Sequence, residues 1–182
     1  MLTLGYKASA EQFGPGRLLD LAVAAENAGF DSVWTSDHFQ PWKHTDGHAP
    51  NSLVWLGATA QATKRVVLGT SVLTPGYRYN PGVIAQAFAT LACLAPGRVI
   101  LGAGTGESLN EVVVGMDWPE QSERFARFKE ALDLIARLWR EERLTYEGQF
   151  YKPHNATIYD RPEQPVPIYI AAAGPAAAKL AG

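Results

Sequence analysis

The sequence predicts an α/β fold in which parallel strands alternate with helices. Short apolar segments recur between amphipathic stretches, and that alternation is typical of a parallel sheet. Three of the strands run into polar segments, namely SDHFQPW (36–42), SVLTP (71–75) and GTGES (104–108). In a barrel of parallel strands the active site is built from such loops, because they gather at the carboxyl ends of the strands.

The elements predicted in chain order are strand 2–7, helix 15–28, strand 31–35, helix 52–63, strand 65–70, helix 81–94, strand 97–103, helix 120–140, strand 166–172 and helix 175–182. The first strand is expected to be buried. The helix that follows it begins at Pro15, which suits a first helical turn, and ends before Gly29. A long polar loop, 36–50, separates the second strand from the second helix. The third strand is rich in Val and Leu.

The second half of the chain predicts a long amphipathic helix and an insertion. Within 120–140 the apolar residues share one side: Phe125, Phe128, Leu132, Ile135, Leu138 and Trp139. Residues 144–152 predict a hairpin that turns at Glu147–Gly148. The five strands and their helices suit either a doubly wound sheet or the first part of an eight-stranded barrel. We expect one domain, 1–182, that is incomplete at its C-terminus.

Composition excludes several classes of partner. A net charge of −2 with scattered Lys and Arg provides no basic patch for nucleic acid or an anionic membrane. The sequence has neither a long apolar run nor a basic leader followed by one, so we expect a cytoplasmic protein. The single cysteine, Cys93, excludes an internal disulfide framework and is expected to be a small buried core residue, with a catalytic thiol as the alternative.

Two motifs suggest a cofactor or metal that the residues do not support. GAGTGE (102–107) lacks the third glycine of a dinucleotide fingerprint, since Glu107 stands there and would repel a pyrophosphate. A turn that presents Thr105 and Glu107 is preferred over a purely structural turn. His38, His44 and His48 with nearby aspartates suggest a metal cluster, but only His38 lies at a strand end. We therefore expect no metal.

Several residues at the strand ends are candidates for chemistry. His38 is either a general acid/base, with Asp37 fixing its ring, or a hydrogen-bonded structural histidine. Trp42 either packs over the loop or stacks on a sugar or a flat ring. Glu11 follows the first strand at a similar level, where a solvated carboxylate is the alternative. AAAGPAAA (171–178) exposes backbone amides at a helix N-terminus and suits a phosphate or close packing.

These segments together resemble one known family. They are GYKASAEQF (5–13), SDHFQPW (36–42), GHAP (47–50), GTSVLTP (69–75), RYNP (78–81), AQAFAT (85–90) and GTGESLNE (104–111). They are similar to the F420-dependent glucose-6-phosphate dehydrogenases, luciferase-like enzymes that use the deazaflavin coenzyme F420. The resemblance spans nearly the whole chain, which corresponds to the N-terminal half of that family. It implies a TIM (β/α)8 barrel of the luciferase-like type, here with roughly its first five strands.

The resemblance also implies roles for individual residues. His38 and Glu107 match the acid/base pair of the family, and Trp42 and Glu11 match residues of the same active site. Contacts with the coenzyme are implied for Asp37, Ser71, Val72, Thr74, Thr105, Asn110, Ala173, Gly174, Ala176 and Ala177. Within that set, Ser71–Val72 matches a bulge with a non-proline cis peptide behind the deazaflavin ring. The stretch from Ala173 to Ala177 matches the turn that holds the phosphate of the coenzyme.

The reaction implied is the oxidation of glucose 6-phosphate to 6-phosphogluconolactone. Hydride passes from C1 of the sugar to C5 of the deazaflavin, His38 removes the hydroxyl proton, and Glu107 supplies a proton to N1. A sugar phosphate is the expected partner, with a homodimer at full length. The alternatives are another luciferase-like F420 or flavin oxidoreductase with a different substrate, and a non-catalytic half-barrel. Asn51 departs from the family pattern, which has an aromatic residue at that place.

Overall fold

The computed structural model describes residues 2–182 of the chain. Its strands are β1 (Gly5–Ala8), β2 (Ser32–Thr35), β3 (Val67–Thr70), β4 (Val99–Ala103) and β5 (Ile168–Ile170). Its helices are α1 (Pro15–Asn27), α2 (Ser52–Ala62), α3 (Pro81–Leu94), α4 (Ser108–Glu111), α5 (Gln121–Arg140) and α6 (Pro175–Ala181), with a 3-10 turn at Val112–Val114. The strands and long helices expected from the sequence are all present, and α4 is an additional element.

The five strands form one parallel sheet in the order β1-β2-β3-β4-β5. In its register Tyr6 lies opposite Val33, and Val33 lies opposite Leu68. A doubly wound sheet reverses its strand order at a switch point, whereas each strand here pairs with the next strand of the chain. The topology is therefore that of a barrel rather than a doubly wound sheet. Because all strands are parallel, their carboxyl ends lie along one edge.

The hydrophobic core lies between one face of the sheet and the helices that cover it. Val33, Leu68 and Leu101 project from the sheet into this layer, where they are buried. From the helix side, α3 contributes Ile84 and Phe88, both fully buried, and it packs against α2 and α5. Each such side chain contributes about 1.5–3 kcal/mol relative to exposure. This layer fixes the strands from which the polar loops emerge.

The two outer strands are shorter than the sequence predicts. Leu2 and Leu4 are 83% and 52% exposed, so the expectation of a buried strand from residue 2 is wrong. Leu4 instead donates its backbone N–H to the Oδ2 atom of Asp31 at 2.8 Å. β5 is limited to Ile168–Ile170 although 166–172 was the expected strand. Each outer strand has a neighbour on one side alone, which leaves fewer ladder hydrogen bonds to extend it.

The predicted insertion reverses direction later than expected. Gly148 donates its N–H to the Tyr151 carbonyl oxygen at 3.0 Å, and Leu144 forms a single antiparallel bridge with Ala156. The prediction of a turn at Glu147–Gly148 is therefore wrong. The cause is tertiary: the carboxylate of Glu130 on α5 accepts the amides of residues 149, 150 and 151 at 2.9–3.0 Å. These three bonds hold the turn at 148–151.

Cys93 does not lie in the core. It is exposed on α3, and the expectation that it is a small buried residue is wrong. The buried side of α3 is formed by residues such as Phe88, Ala89 and Ala92. Successive helical residues are rotated by about 100°, which directs Cys93 away from that side.

None of the helices described within residues 2–182 has both the length and the apolar character that a membrane crossing requires. α5 is 20 residues long but amphipathic, with Arg137 and Arg140 in its last turn.

Candidate active site

A cavity of about 480 Å³ lies at the carboxyl ends of β2, β3 and β4. It is lined by most of the residues that the sequence analysis selects: Asp37, His38, Ser71, Val72, Thr74, Thr105, Glu107, Asn110 and Ala173. These residues are widely separated in sequence. The parallel sheet brings them together because they follow the ends of four neighbouring strands, β2 to β5.

The glycines of GAGTGE serve close packing between β4 and β3. A Cβ atom on Gly102 would lie 1.8 Å from the carbonyl oxygen of Thr70, which backbone atoms do not tolerate. A Cβ atom on Gly104 would lie 2.7 Å from a methyl carbon of Val72. The glycine pattern thus allows the two strand-end loops to approach each other beside the cavity.

The Ser71–Val72 peptide bond is cis, which confirms the expectation for this bond. Its carbonyl oxygen, on Ser71, accepts a hydrogen bond from Nζ of Lys7 at 2.7 Å. Val72 lies in the wall of the cavity between this bond and Gly104. This part of the wall is therefore formed by the loop after β3 and is held by Lys7 of β1.

His38 is oriented by Glu11 and by its own loop. Its Nδ1 atom lies 3.2 Å from the carbonyl oxygen of Gln40, and its Nε2 atom lies 3.3 Å from Oε1 of Glu11. The Gln40 carbonyl oxygen and the Glu11 carboxylate can only accept hydrogen bonds, so each ring nitrogen faces an acceptor and the site suits a ring with a proton on both nitrogens. The expectation that Asp37 fixes the ring of His38 is wrong.

Glu11 and Trp42 line a second, smaller cavity of about 380 Å³ beside the first. The ring centroids of His38 and Trp42 are 5.7 Å apart, with an interplanar angle of 55°. Trp42 is 69% exposed, so one side of its ring is free to receive another group. Oε2 of Glu11 accepts a hydrogen bond from Ser36 at 2.9 Å, which fixes the carboxylate. His38 therefore stands between the two cavities.

The side chain of Asp37 is buried in a polar network below the cavity. Its Oδ1 atom accepts from Ser52 at 2.6 Å and from Tyr79 at 3.2 Å. Its Oδ2 atom pairs with Arg78, and Arg78 also pairs with Glu111. No site role was predicted from the sequence for Ser52, Arg78, Tyr79 or Glu111. The available signal was a charged residue, Arg78, in a short loop that contains no acidic partner.

Burial and the neighbouring charges shift the pKa values of the groups in this network. Burial alone would lower the pKa of Arg78, but the Asp37 and Glu111 carboxylates outweigh it and raise that pKa. Burial raises the pKa of Glu111, and the hydrogen bonds and charge of Arg78 oppose this only in part. Burial, followed by the charge of Asp37, raises the pKa of Tyr79. Arg78 thus remains charged and Tyr79 remains a neutral donor at neutral pH.

Asn110 holds the loop that carries His38. Its Oδ1 atom accepts the backbone N–H of Phe39 at 2.9 Å, and that of Gln40 at 3.4 Å. Its Nδ2 atom lies 3.5 Å from Nδ1 of His38. Asn110 belongs to α4, whose N-cap residue is the exposed Glu107. One short helix therefore carries both Glu107 and the residue that holds the His38 loop.

The turn before α6 lines a neighbouring cavity of about 550 Å³. Gly174, Ala176 and Ala177 face it, and it shares Thr105 and Ala173 with the cavity that contains His38. Arg124 of α5 contributes a positive charge to its wall. The two cavities together offer an elongated space with an anion-compatible end.

Asn51 caps α2 instead of forming a wall of the site. Its Oδ1 atom accepts the amides of Leu53 and Val54, each at 3.1 Å. Its Nδ2 atom donates to the Tyr79 hydroxyl at 3.3 Å. An aromatic residue could not make these bonds, so the departure at this position is explained by helix capping.

His44 and His48 lie exposed in the long loop. Within residues 2–182, no three His, Cys, Asp or Glu side chains lie close enough to share a metal ion.

The geometry suits a flat ring with an anionic extension. Clefts of a few hundred Å³ are the usual size for such cofactors, and the cavity has polar groups on loops from three strands. The adjoining cavity, with Arg124 and the small residues of 173–177, has room for a phosphate group. The residues present therefore fit a phosphorylated deazaflavin.

The chain is similar over its whole length to F420-dependent glucose-6-phosphate dehydrogenases. It is 69% identical over 181 residues to the one from Kineococcus radiotolerans, covering 100% of this chain and 54% of that relative. For the one from Nakamurella multipartita the identity is 67% over 181 residues, with 100% of this chain and 53% of the relative covered. The chain thus spans about half the length of the curated relatives it matches.

A solved structure has the same fold. It is an F420-dependent secondary alcohol dehydrogenase in complex with an F420-acetone adduct, with a TM-score of 0.96 and 42% sequence identity. The match covers 98% of this chain and 55% of that chain. Residues 3–182 match the family described as luciferase-like monooxygenase. A barrel-type sheet, these relatives and a match over nearly every residue lead to one conclusion: the chain belongs to the luciferase-like monooxygenase family.

Proposed function

We propose that this chain forms the coenzyme-binding part of an F420-dependent glucose-6-phosphate dehydrogenase. The observation that carries the proposal is the convergence of His38, Glu107 and Asn110 with the Ser71–Val72 peptide on one cavity. These residues come from three strand-end loops, and they are the ones for which the resemblance implies active-site roles. The whole-chain similarity to dehydrogenases of that name supports the same coenzyme and substrate.

The residues that would hold coenzyme F420 fall into two groups. Val72, Thr74 and Thr105 line the cavity for the ring. Gly174, Ala176 and Ala177 line the adjoining cavity, where backbone amides and Arg124 suit the phosphate. When bound, the coenzyme accepts a hydride from the substrate. The protein supplies position and proton transfer.

His38 is the proposed base that removes the proton of the sugar hydroxyl. A neutral ring that keeps its proton on Nδ1, next to the Gln40 carbonyl, can take up the hydroxyl proton at Nε2, beside Glu11. A proton taken up at Nε2 creates an imidazolium 3.3 Å from the Glu11 carboxylate. The opposite charge stabilises that product, so Glu11 assists proton removal.

Glu107, which follows β4, is the proposed proton donor. It lies at the start of α4, is exposed, and lines the same cavity as His38. A carboxyl group there is free to exchange protons with water and to deliver one to a ring edge in the cavity. Proton removal and proton supply are thus assigned to different strand-end loops.

The test is a titration of F420, followed by its fluorescence, with this chain and with a full-length protein that carries it. We expect F420 to bind the full-length protein, glucose 6-phosphate to reduce it, and NAD and NADP to show no comparable affinity. Reduction of NADP but not F420 would contradict the proposal. Binding of F420 without turnover of any substrate would favour the non-catalytic alternative.

A secondary alcohol is the second candidate substrate. The solved relative with 42% identity is named as an alcohol dehydrogenase, and its match covers nearly all of this chain. Trp42, exposed beside His38, is compatible with stacking on a sugar face, which favours the sugar phosphate. Parallel assays with 2-propanol and glucose 6-phosphate separate the two. The homodimeric state, the cytoplasmic location and a role in carbohydrate metabolism stay predictions.

A further inference from the structure

A buried arginine joins the three loops that form the cavity. The side chain of Arg78, from the loop after β3, is 9% exposed and lies between two carboxylates. Asp37 follows β2 and its side chain is 2% exposed, and Glu111 belongs to α4 and its side chain is 0% exposed. Neither Arg78 nor Glu111 lines the cavity itself. Their position is underneath the loops that do.

Arg78 holds the backbone immediately before His38. Its Nη2 atom donates to the carbonyl oxygen of Asp37 at 3.0 Å, and that oxygen belongs to the peptide that leads into His38. On the other side of His38, Asn110 accepts the N–H of Phe39. Glu111 follows Asn110 directly in the chain. Helix α4 therefore holds the backbone on both sides of His38. Asn110 binds the Phe39 side directly, and Glu111 holds the Asp37 side through Arg78.

Only a guanidinium can make this set of contacts. The Arg78 guanidinium donates to the Asp37 carbonyl oxygen and pairs with the Asp37 and Glu111 carboxylates at the same time. Glu111 fixes the arginine further, because its Oε2 atom accepts the Arg78 backbone N–H at 3.0 Å. A lysine has a single point of charge on a flexible stem and cannot reproduce a planar, multiple contact.

We propose that Arg78 and Glu111 are positioning residues that set the place of the His38 imidazole in the cavity. The inference rests on the proposed function, in which His38 removes a proton from the substrate. Small displacements of a catalytic group lower the rate strongly, whereas substrate affinity depends on other contacts. Arg78 and Glu111 therefore act on the chemical step through His38.

The test is the variant Arg78→Lys in a full-length protein that carries this chain. We expect kcat to fall by about tenfold, with KM for glucose 6-phosphate and the affinity for F420 within about twofold of the parent. The matched control is Arg98→Lys. Arg98 also binds backbone carbonyl oxygens, those of Ala60, Thr63 and Val66, but at the opposite ends of the strands. This control is expected to keep kcat.

The double variant His38→Ala/Arg78→Lys distinguishes positioning from general loosening of the fold. If Arg78 acts through His38, the double variant has the same kcat as His38→Ala within about twofold. The inference would be overturned if the two substitutions lowered kcat by factors that multiply in the double variant. An unchanged kcat in Arg78→Lys would overturn it as well. If Arg78→Lys does not fold, Glu111→Gln replaces it in the same cycle. Gln keeps an acceptor for the Arg78 amide but loses the charge, so a smaller loss of the same kind is expected.

A second measurement does not depend on turnover. The ¹⁵N resonances of the His38 ring report which nitrogen carries the proton and what it faces. We expect them to change in Arg78→Lys and to stay unchanged in Arg98→Lys. If the parent protein does not reduce F420 with glucose 6-phosphate, the proposed function alone is contradicted. The His38 ring resonances then still test whether Arg78 positions the imidazole. Identical His38 resonances in the parent and in Arg78→Lys would overturn the positioning role of Arg78.

Discussion

The Nε2 atom of His38 lies 3.3 Å from Oε1 of Glu11, although 27 positions of sequence separate the two residues. Glu11 follows β1 and His38 follows β2, and these strands are neighbours in the sheet. The histidine thus has a carboxylate partner from another strand rather than from Asp37 beside it. This pairing gives a proton taken up by Nε2 an immediate counter-charge.

Replacing His38 tests the proposed base. We expect His38→Ala in a full-length protein to lower kcat by about 100-fold or more, since a lost general base has that effect. F420 affinity, measured by fluorescence, should stay within about twofold because the ring cavity has many other contacts. His44→Ala is the matched control, an exposed histidine of the same loop. Equal turnover in His38→Ala and the parent would exclude His38 from the reaction.

Replacing Glu107 tests the proposed proton donor. Glu107→Gln keeps the size of the side chain but removes its acidic proton. We expect F420 to bind as in the parent and steady-state turnover to fall by about 100-fold. The control is Glu163→Gln, an exposed carboxylate beside Cys93 at the other end of the sheet. A Glu107→Gln protein that keeps parental turnover would be inconsistent with the role.

Glu26 is expected to make stability depend on pH. The backbone amides of Lys64, Arg65 and Val66 all donate to its carboxylate, at 2.7–3.1 Å. Partial burial raises the pKa of Glu26, but hydrogen bonds from these amides and the Arg65 charge outweigh it and lower that pKa. A lowered pKa means that the stabilisation is complete above the ordinary pKa of a glutamate. It is lost as the pH falls through the lowered value.

Glu26→Gln should therefore lower the free energy of unfolding by about 1–2 kcal/mol at pH 7. Below the lowered pKa the parent carboxylate is protonated as well, so the difference between the two proteins should shrink. Urea unfolding at pH 7 and at acidic pH measures this. Asp20→Asn, an exposed carboxylate of the same helix, serves as the control. A difference that is equal at both pH values would show that the charge of Glu26 is irrelevant.

Asn51 should contribute to stability as a helix cap. Asn51→Ala removes the acceptor for two amides at the start of α2, and we expect a loss of about 1 kcal/mol in the free energy of unfolding. Gln61→Ala, on the exposed side of α2, should change it by less than about 0.5 kcal/mol. Thermal or urea unfolding compares them. If both variants unfold like the parent, the capping bonds do not stabilise the protein.

The fold could be predicted from local patterns because those patterns have local causes. Pro15 and the apolar spacing of α1 predict a helix whatever surrounds it, and α1 begins at Pro15. The order of strands and helices predicts that polar loops share one edge of a parallel sheet, and His38, Thr74 and Glu107 do line one cavity. The turn of the insertion could not be predicted in this way because a distant residue, Glu130, holds it at 148–151.

The sequence by itself determined the alternation of strands and helices, the positions of the polar loops and the family resemblance that selects the candidate residues. Only the tertiary structure decided which side chains meet: Glu11 with His38, and Arg78 with Asp37 and Glu111. The reason is physical. Helix and strand formation depend on residues a few positions apart, whereas these ion pairs depend on the register of parallel strands and on burial. Neither can be derived from residue type and spacing alone.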